Sequence, residues 1–284
     1  MKRQMVEGLI AEGKPLNVAL EAVGMAKSSY YYRSVGRRKL RSLDEALVRA
    51  IKEVRQGHAE VYGYRKITMA LRAAMWTINT KKVLRHLRTL GLTQPRKLKG
   101  QRWSRPATVR PVVCNTYWEA DFTYVWTGSA NAYLCVVIDA CDRDIVGDVF
   151  SDRCRTREAA EALERAVLSR FGRRVPYGHE LTLRVDRGTQ FTARSFREVA
   201  RTLNVRLEYA GIQCPEDKPY IESFFGSYKT EELYRNEYSS LAEARTRWES
   251  YRAWYRNDRL HQALWYKSPR DYAKITRKSN LLVA

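Results

Sequence analysis

The sequence has no pair of cysteines spaced Cys-x-x-Cys and only four histidines in 284 residues. Cys114, Cys135, Cys141, Cys154 and Cys214 are scattered, so zinc-finger spacing is missing and a structural zinc module is not expected. Reduced thiols in a cytosolic protein are the expectation. Long apolar runs are lacking as well. Nothing reads as a signal peptide, and no stretch is long enough to cross a bilayer, which argues against a membrane protein. Acids are scarce: 31 Asp and Glu face 52 Lys and Arg, for a net charge of +21. A surplus of that size repels itself unless an anionic partner neutralises it. Nucleic acid is the first candidate, an anionic membrane surface the second.

The charge is unevenly spread. Residues 1–110 hold 25 Lys/Arg and 7 Asp/Glu, a surplus of 18, whereas the remainder holds 27 and 24. A basic front beside a nearly balanced domain with isolated acids suggests an enzyme that acts on nucleic acid.

In the front part, "LNVALEAVGMAKSSYYYR" reads as two short helices around Gly24, with Ser28 or Ser29 as a cap. Tyr30, Tyr31 and Tyr32 fit a bundle core better than base stacking. Ser42 with Glu45 forms a capping box before Leu43, Leu47, Ile51 and Val54 at helical spacing. "YGYRKITMALRAAMW" is a further helix, and "NTKKVLRHLRTLGL" another, capped by Asn79 and closed by Gly91. Val83, Leu87 and Leu90 should face inward, and Lys81, Lys82, Arg85 and Arg88 outward. Helix, tight turn, basic helix is the helix-turn-helix pattern, whose second helix can enter a major groove; a small bundle with a solvated basic face is the alternative. Arg65, on the preceding helix, joins these as a candidate DNA contact. Residues 95–113 are basic, hold three prolines and show no periodicity, as a linker does.

Beyond it the texture changes. "WEADFTYVWT" reads as a strand, "AYLCVVIDACDRDIVGDVFS" as two strands joined by a tight turn, "REAAEALERAVLSRF" as a helix, "LTLRVD" as a strand, "ARSFREVARTLN" as a helix and "VRLEYA" as a short strand. A helix from about Tyr220 to Tyr234 and a helical tail follow. Hairpin strands succeeded by alternating helices and strands predict an α/β layer with a mixed sheet.

Three acids stand out: Asp121 within the first strand, Asp186 ending the fourth, and Glu222 in the first turn of the following helix, with 64 and 35 intervening residues. Magnesium takes hard oxygen ligands, and two such ions held by carboxylates from separate elements can drive phosphoryl transfer. Asp139, Glu216 and Asp217 are competitors for these places on pattern alone.

"WEADFTYV", "YLCVVIDACDRDIVG", "RVDRGTQF" and "DKPYIESFFGSYKTE" resemble the integrase-type catalytic core of bacterial insertion-sequence transposases, in particular the OrfB product of the insertion-sequence-three group, which is related to retroviral integrases. "YGYRKI", "INTKKVLRHLRTLGL" and "YRNDRLHQALWYKSPRDY" extend the resemblance to nearly the whole chain. It implies an RNase H-like core over 112–235 behind a basic helical, helix-turn-helix DNA-binding region over 1–94 and a linker over 95–111, with a C-terminal helical segment over 236–284. It implies Asp121, Asp186 and Glu222 as catalytic metal ligands for two Mg2+ ions, with Mn2+ as a substitute, and Lys229, two helical turns after Glu222, as a DNA contact. Arg187 and Gln190 are further candidates for DNA, whereas Arg259 and His261 fit packing of the tail better. The implied activity is cleavage and strand transfer at element ends, water and then a 3′-hydroxyl being the nucleophile. The implied partners are terminal inverted repeats and target DNA, a second copy at least, and an upstream OrfA product or fusion. The implied location is the bacterial cytoplasm, on the nucleoid. A non-catalytic DNA-binding descendant of the fold, a nuclease and a retroviral-type integrase are the rivals. Val185, Lys218-Pro219 and Arg256 depart from the family pattern, which usually has a small polar residue, Asn-Ala and the Asn of Tyr-Asn there.

Overall fold

In the computed structural model, residues 2–32, 43–94, 111–211 and 217–281 are described. The chain divides into two compact units, Met1–Val48 and Arg49–Ala284, so the division falls inside the expected front region.

The first unit holds α1 (Lys2–Ala11), α2 (Leu16–Val23) and α3 (Lys27–Tyr31) around buried Val6, Ala19 and Leu20. Gly24 ends α2 in the left-handed region at φ 60°, which costs glycine nothing, and its N–H closes onto the carbonyls of Glu21 and Leu20. The cap of α3 differs from expectation: the helix starts at Lys27 behind Ala26, which puts Ser28 and Ser29 inside its first turn. Tyr30 packs on this core, but Tyr31 and Tyr32 are exposed because the short helix buries one face only. The Ser42 box lies outside the described residues. For α4 (Glu45–Val54), Asp44 Oδ1 accepts the Leu47 N–H at 3.2 Å and so caps the first turn.

The second unit, which starts within α4, continues with α5 (Tyr64–Ala73) and α6 (Thr80–Thr89). Asn79 caps α6 as expected, its side chain accepting the Lys81 N–H at 2.8 Å. Val83 and Leu87 are buried and Lys81 and Arg88 exposed. His86, on the same inner stripe, is fully buried, with its Nδ1 2.9 Å from the Lys82 carbonyl.

The sheet follows: β1 (Tyr117–Trp126), β2 (Asn131–Asp139) and β3 (Ile145–Ser151), then α7 (Thr156–Phe171), β4 (Thr182–Val185), α8 (Thr189–Thr192), α9 (Arg194–Thr202) and β5 (Arg206–Tyr209). Strand order is β3-β2-β1-β4-β5; β1, β2 and β3 are antiparallel neighbours, and β4 and β5 run parallel with β1. The mixed sheet is thus as the sequence led one to expect. Helices cover both faces. Trp118 and Ala120 on one face of β1 join α7, α8 and α9 in one core. Val125, on the other face, joins α10 (Pro219–Glu231) and α11 (Leu241–Asn257) in a second core rich in aromatic rings. The tail ends in α12 (Pro269–Leu281).

Candidate active site

β1 alternates its side chains across the sheet. Trp118 and Ala120 face one core, so Glu119 and Asp121 face the other, the side of α10. Parallel pairing sets Glu119 opposite Arg184. Two residues further along both chains lie Asp121 and Asp186, side by side at the point where β4 stops and β1 continues. Asp186 therefore sits one residue past its strand, free of the ladder, where its backbone can turn.

Each carboxylate is aimed by a backbone N–H. Asp186 Oδ1 accepts from Gly188 at 2.7 Å, and Asp121 Oδ1 accepts from Phe122 at 2.8 Å. The turn at Gly188 has ordinary backbone angles but no room: a Cβ there would meet Asp186 Oδ1 at 2.8 Å and Gln190 Oε1 at 2.6 Å. With Oδ1 held, both Oδ2 atoms face a single cation. Lys218 Nζ lies 2.9 Å from Asp121 Oδ2 and 3.6 Å from Asp186 Oδ2. Burial raises the Asp121 carboxyl above its usual range, and Lys218 works against that rise.

Glu222 stands on α10, one turn above Lys218, whose carbonyl accepts the Glu222 N–H at 3.2 Å. Its helix is fastened to β1 by a residue that sequence reasoning missed. Glu119 is fully buried, and its Oε2 accepts the N–H groups of Tyr220 at 2.9 Å and Ile221 at 2.8 Å. Those are first-turn donors that a helix leaves unpaired, so the carboxylate both caps and docks α10. Burial nonetheless pushes the Glu119 carboxyl up to about 7. Its place two residues before Asp121 on an alternating strand was the available signal. Among the described residues no set of three or more His, Cys, Asp or Glu side chains is gathered as a metal-holding group: two of the expected acids converge, and the third is on the adjoining helix.

The competing acids have other duties. Asp139 is buried and accepts from Asn115 N at 2.6 Å, Cys141 N at 2.8 Å and Trp118 Nε1 at 3.2 Å, which fixes the end of β2. Asp217 holds the chain before α10, its carboxylate accepting the Gly211 N–H at 2.8 Å and its carbonyl accepting Arg184 Nη1 at 2.8 Å. Glu216 lies outside the described residues, as does the linker through residue 110.

Of the expected DNA contacts, Arg187 Nε donates to the Ala210 carbonyl at 3.3 Å and its guanidinium lies over the Tyr209 ring, at the end of β5. Gln190 Nε2 is 3.1 Å from Cys154 Sγ beside the Asp186 turn. Lys229 is half-buried on α10, and Arg65 is exposed on α5.

Two departures from the family pattern acquire reasons here. Val185 is fully buried among α7, α8 and α9, so an apolar residue fits the inner face of β4. Arg256 clasps Asp144 with two bonds, Nε to Oδ1 at 2.7 Å and Nη2 to Oδ2 at 3.0 Å, and Arg170 meets Asp144 and Asp142 at 3.0 Å from within. The tail packs as expected: Arg259 is buried against Glu231 at the end of α10, and His261 meets the Tyr255 ring edge-on at 4.8 Å.

An integrase core domain model matches residues 114–215, a second integrase core model matches 203–269, and an HTH-like domain model matches 42–100. The transposase for insertion sequence element IS904 of Lactococcus lactis is 28% identical over 243 residues, which cover 81% of this chain and 94% of that protein. The putative transposase for IS986/IS6110 of Mycobacterium tuberculosis is 29% identical over 84% of this chain and 91% of its own length. The putative transposase InsK for IS150 of Escherichia coli is 25% identical over 92% and 94%. The chain thus carries an integrase core and an HTH-like domain, and along most of its length it is similar to transposases of bacterial insertion sequences.

Proposed function

We propose that the chain cuts a DNA phosphodiester at each element end and joins the freed 3′-hydroxyl to a second phosphodiester, with Asp121, Asp186 and Glu222 as the groups that hold divalent metal. The observation that carries this reading is the convergence of Asp121 Oδ2 and Asp186 Oδ2 on one cation from adjacent strands. Two hard oxygen donors on a rigid sheet, already turned toward a positive charge, fit Mg2+ or Mn2+. When bound, such ions lower the cost of an attacking hydroxide or alkoxide and neutralise the leaving oxygen.

The chain's own contribution is position and charge. Backbone N–H groups fix one oxygen of each aspartate and leave the other for the metal. Glu119 sets the height of α10 against β1, and so the reach of Glu222. The reaction is two successive in-line displacements: in each, a new P–O bond forms as the old one breaks, and no phosphoryl–enzyme bond is needed.

Lys81, Lys82, Arg85, Arg88 and Arg65 serve the DNA duplex from the helix-turn-helix, and Lys229, Arg187 and Gln190 serve the strand near the acids. Bringing two ends together requires at least two copies, and an OrfA product or fusion is a further partner. The HTH-like match over 42–100, which takes in α5 and α6, supports these helices as the DNA-reading part. No helix of the described residues is long and apolar enough to cross a membrane.

The test uses the full chain and labelled duplexes carrying element ends. Asp186→Asn is expected to lose Mg2+-dependent cleavage and joining while keeping its affinity for the duplex. Undiminished cleavage by that variant would overturn the assignment. Cutting without joining by the unaltered protein would indicate a nuclease instead.

A further inference from the structure

A lysine is an unexpected residue at the start of a helix. The N-terminus carries partial positive charge and favours anions, so a buried ammonium there is doubly unfavourable unless anions compensate it. Lys218 is the residue immediately before α10 and is about 5% exposed. Its neighbour explains its shape: Pro219 occupies the first helical position, and a residue preceding proline is kept out of the helical region. Lys218 accordingly has φ −122° and ψ 56°. Its ammonium meets the oxygens of Asp121 and Asp186 that the backbone leaves available, at 2.9 and 3.6 Å.

We propose that Lys218 is a built-in counter-cation of the Asp121–Asp186 pair: it occupies the place between the two carboxylates that a divalent ion needs, and metal enters only as the ammonium withdraws. The inference rests on the metal-binding reading of the two acids and adds a competitor to it. Two oxygens cannot give their best geometry to an ammonium and to a metal ion at once, and an ammonium a few ångströms from a divalent ion is repelled by it. Metal affinity is therefore set by a difference. The ion gains the carboxylates, and the protein loses a buried ion pair and must move a long side chain.

The pairing has a second effect. Without metal, two neighbouring carboxylates would repel each other and spread. Lys218 lies between their free oxygens and holds them together, so the strand ends keep their spacing before the ion arrives. Lys218-Pro219 is thus a device in which the proline fixes where the backbone enters the helix and the lysine before it reaches the two acids. An uncharged Asn at 218 would leave the pair open to metal and strained in its absence.

The experiment is calorimetric titration of Mn2+ into the full chain, without DNA, for the unaltered protein, Lys218→Asn and Asp186→Asn. Lys218→Asn is expected to bind Mn2+ about tenfold more tightly, which corresponds to ~1.4 kcal/mol. Its metal-free melting temperature should fall and be recovered by Mn2+. Asp186→Asn should lose the site. Equal or weaker binding by Lys218→Asn, with the site still lost in Asp186→Asn, overturns the competition and leaves the acid assignment standing. Binding that is absent, or indifferent to Asp186→Asn, overturns both. Because Lys218→Asn could fail to fold, acylation of lysines in the unaltered protein, read by mass spectrometry, gives a second measurement. Lys218 should be protected without metal and labelled in saturating Mn2+; protection unchanged by Mn2+ overturns the proposal.

Discussion

Arg259 grips Glu231 with two parallel bonds, Nε to Oε2 at 2.7 Å and Nη2 to Oε1 at 2.6 Å, both side chains being buried. The pair joins the C-terminal segment to the far end of the helix whose first turn carries Glu222. Its place is further fixed by Ser227 Oγ, 3.1 Å from Arg259 Nη2, and by Tyr251, whose hydroxyl donates to Glu231 at 2.9 Å.

Removing one partner of such a pair strands the other charge. Arg259→Ala should therefore destabilise the protein by about 3–5 kcal/mol. Thermal or urea unfolding measures this. The double replacement Glu231→Gln with Arg259→Met should recover part of the loss, because no buried charge is then left unmatched. An unchanged melting curve for Arg259→Ala would show that the tail does not hold α10.

His261 gives a pH dependence of known sign. Burial, then the nearby charges of Arg259, Lys66 and Arg143, keep its imidazole proton affinity well below the ordinary value. Arg259 Nη1 is 3.1 Å from His261 Nε2, an arrangement that suits a neutral ring. Below about pH 6.5 the unfolded chain takes up a proton at this residue and the folded chain does not, so stability falls as pH drops through that range. The melting temperature of the unaltered protein should decline more steeply from pH 7 to 5 than that of His261→Phe. Identical slopes would exclude the residue.

Gly188→Ala separates geometry from folding. The backbone there suits alanine, but the added Cβ would press on the Asp186 carboxylate. Stability should change by no more than ~1 kcal/mol. End cleavage and joining should fall by about 100-fold, the effect of an ångström-scale displacement of a catalytic group. Full activity would mean that Asp186 needs no fixed turn.

DNA binding by α6 is testable through salt. Lys81 and Arg88 are exposed on this helix. If each meets a phosphate, Lys81→Ala and Arg88→Ala should weaken duplex binding and each reduce the slope of log affinity against log salt by about 0.9. Slopes equal to that of the unaltered protein would return the helix to a solvated bundle face.

Much of the fold can be read from the residues in order. Alternation of apolar and polar residues from Trp118 to Thr123 makes a strand with two different faces, and 3.6-residue spacing around Val83 and Leu87 makes a helix with one. Asn79 and Gly24 mark helix ends because their local chemistry suffices without any distant partner. Asp121, Asp186 and Glu222 are singled out by their spacing and by the family resemblance, while pattern alone leaves Asp139, Glu216 and Asp217 as competitors. The tertiary structure gives two of these competitors other partners: Asp139 spends its oxygens on buried donors and Asp217 braces a loop. It also decided what no local rule contains: that Glu119 reaches across to the first turn of α10 more than 100 residues later. In the same way Arg256 serves Asp144, and Val185 faces an apolar core. The sequence by itself determined the order of most strands and helices and which residues could carry charge chemistry, because those depend on neighbours along the chain. Which carboxylates meet, and that Lys218 stands between two of them, depends on register and packing between elements far apart in sequence, and only the folded sheet and its docked helix set that.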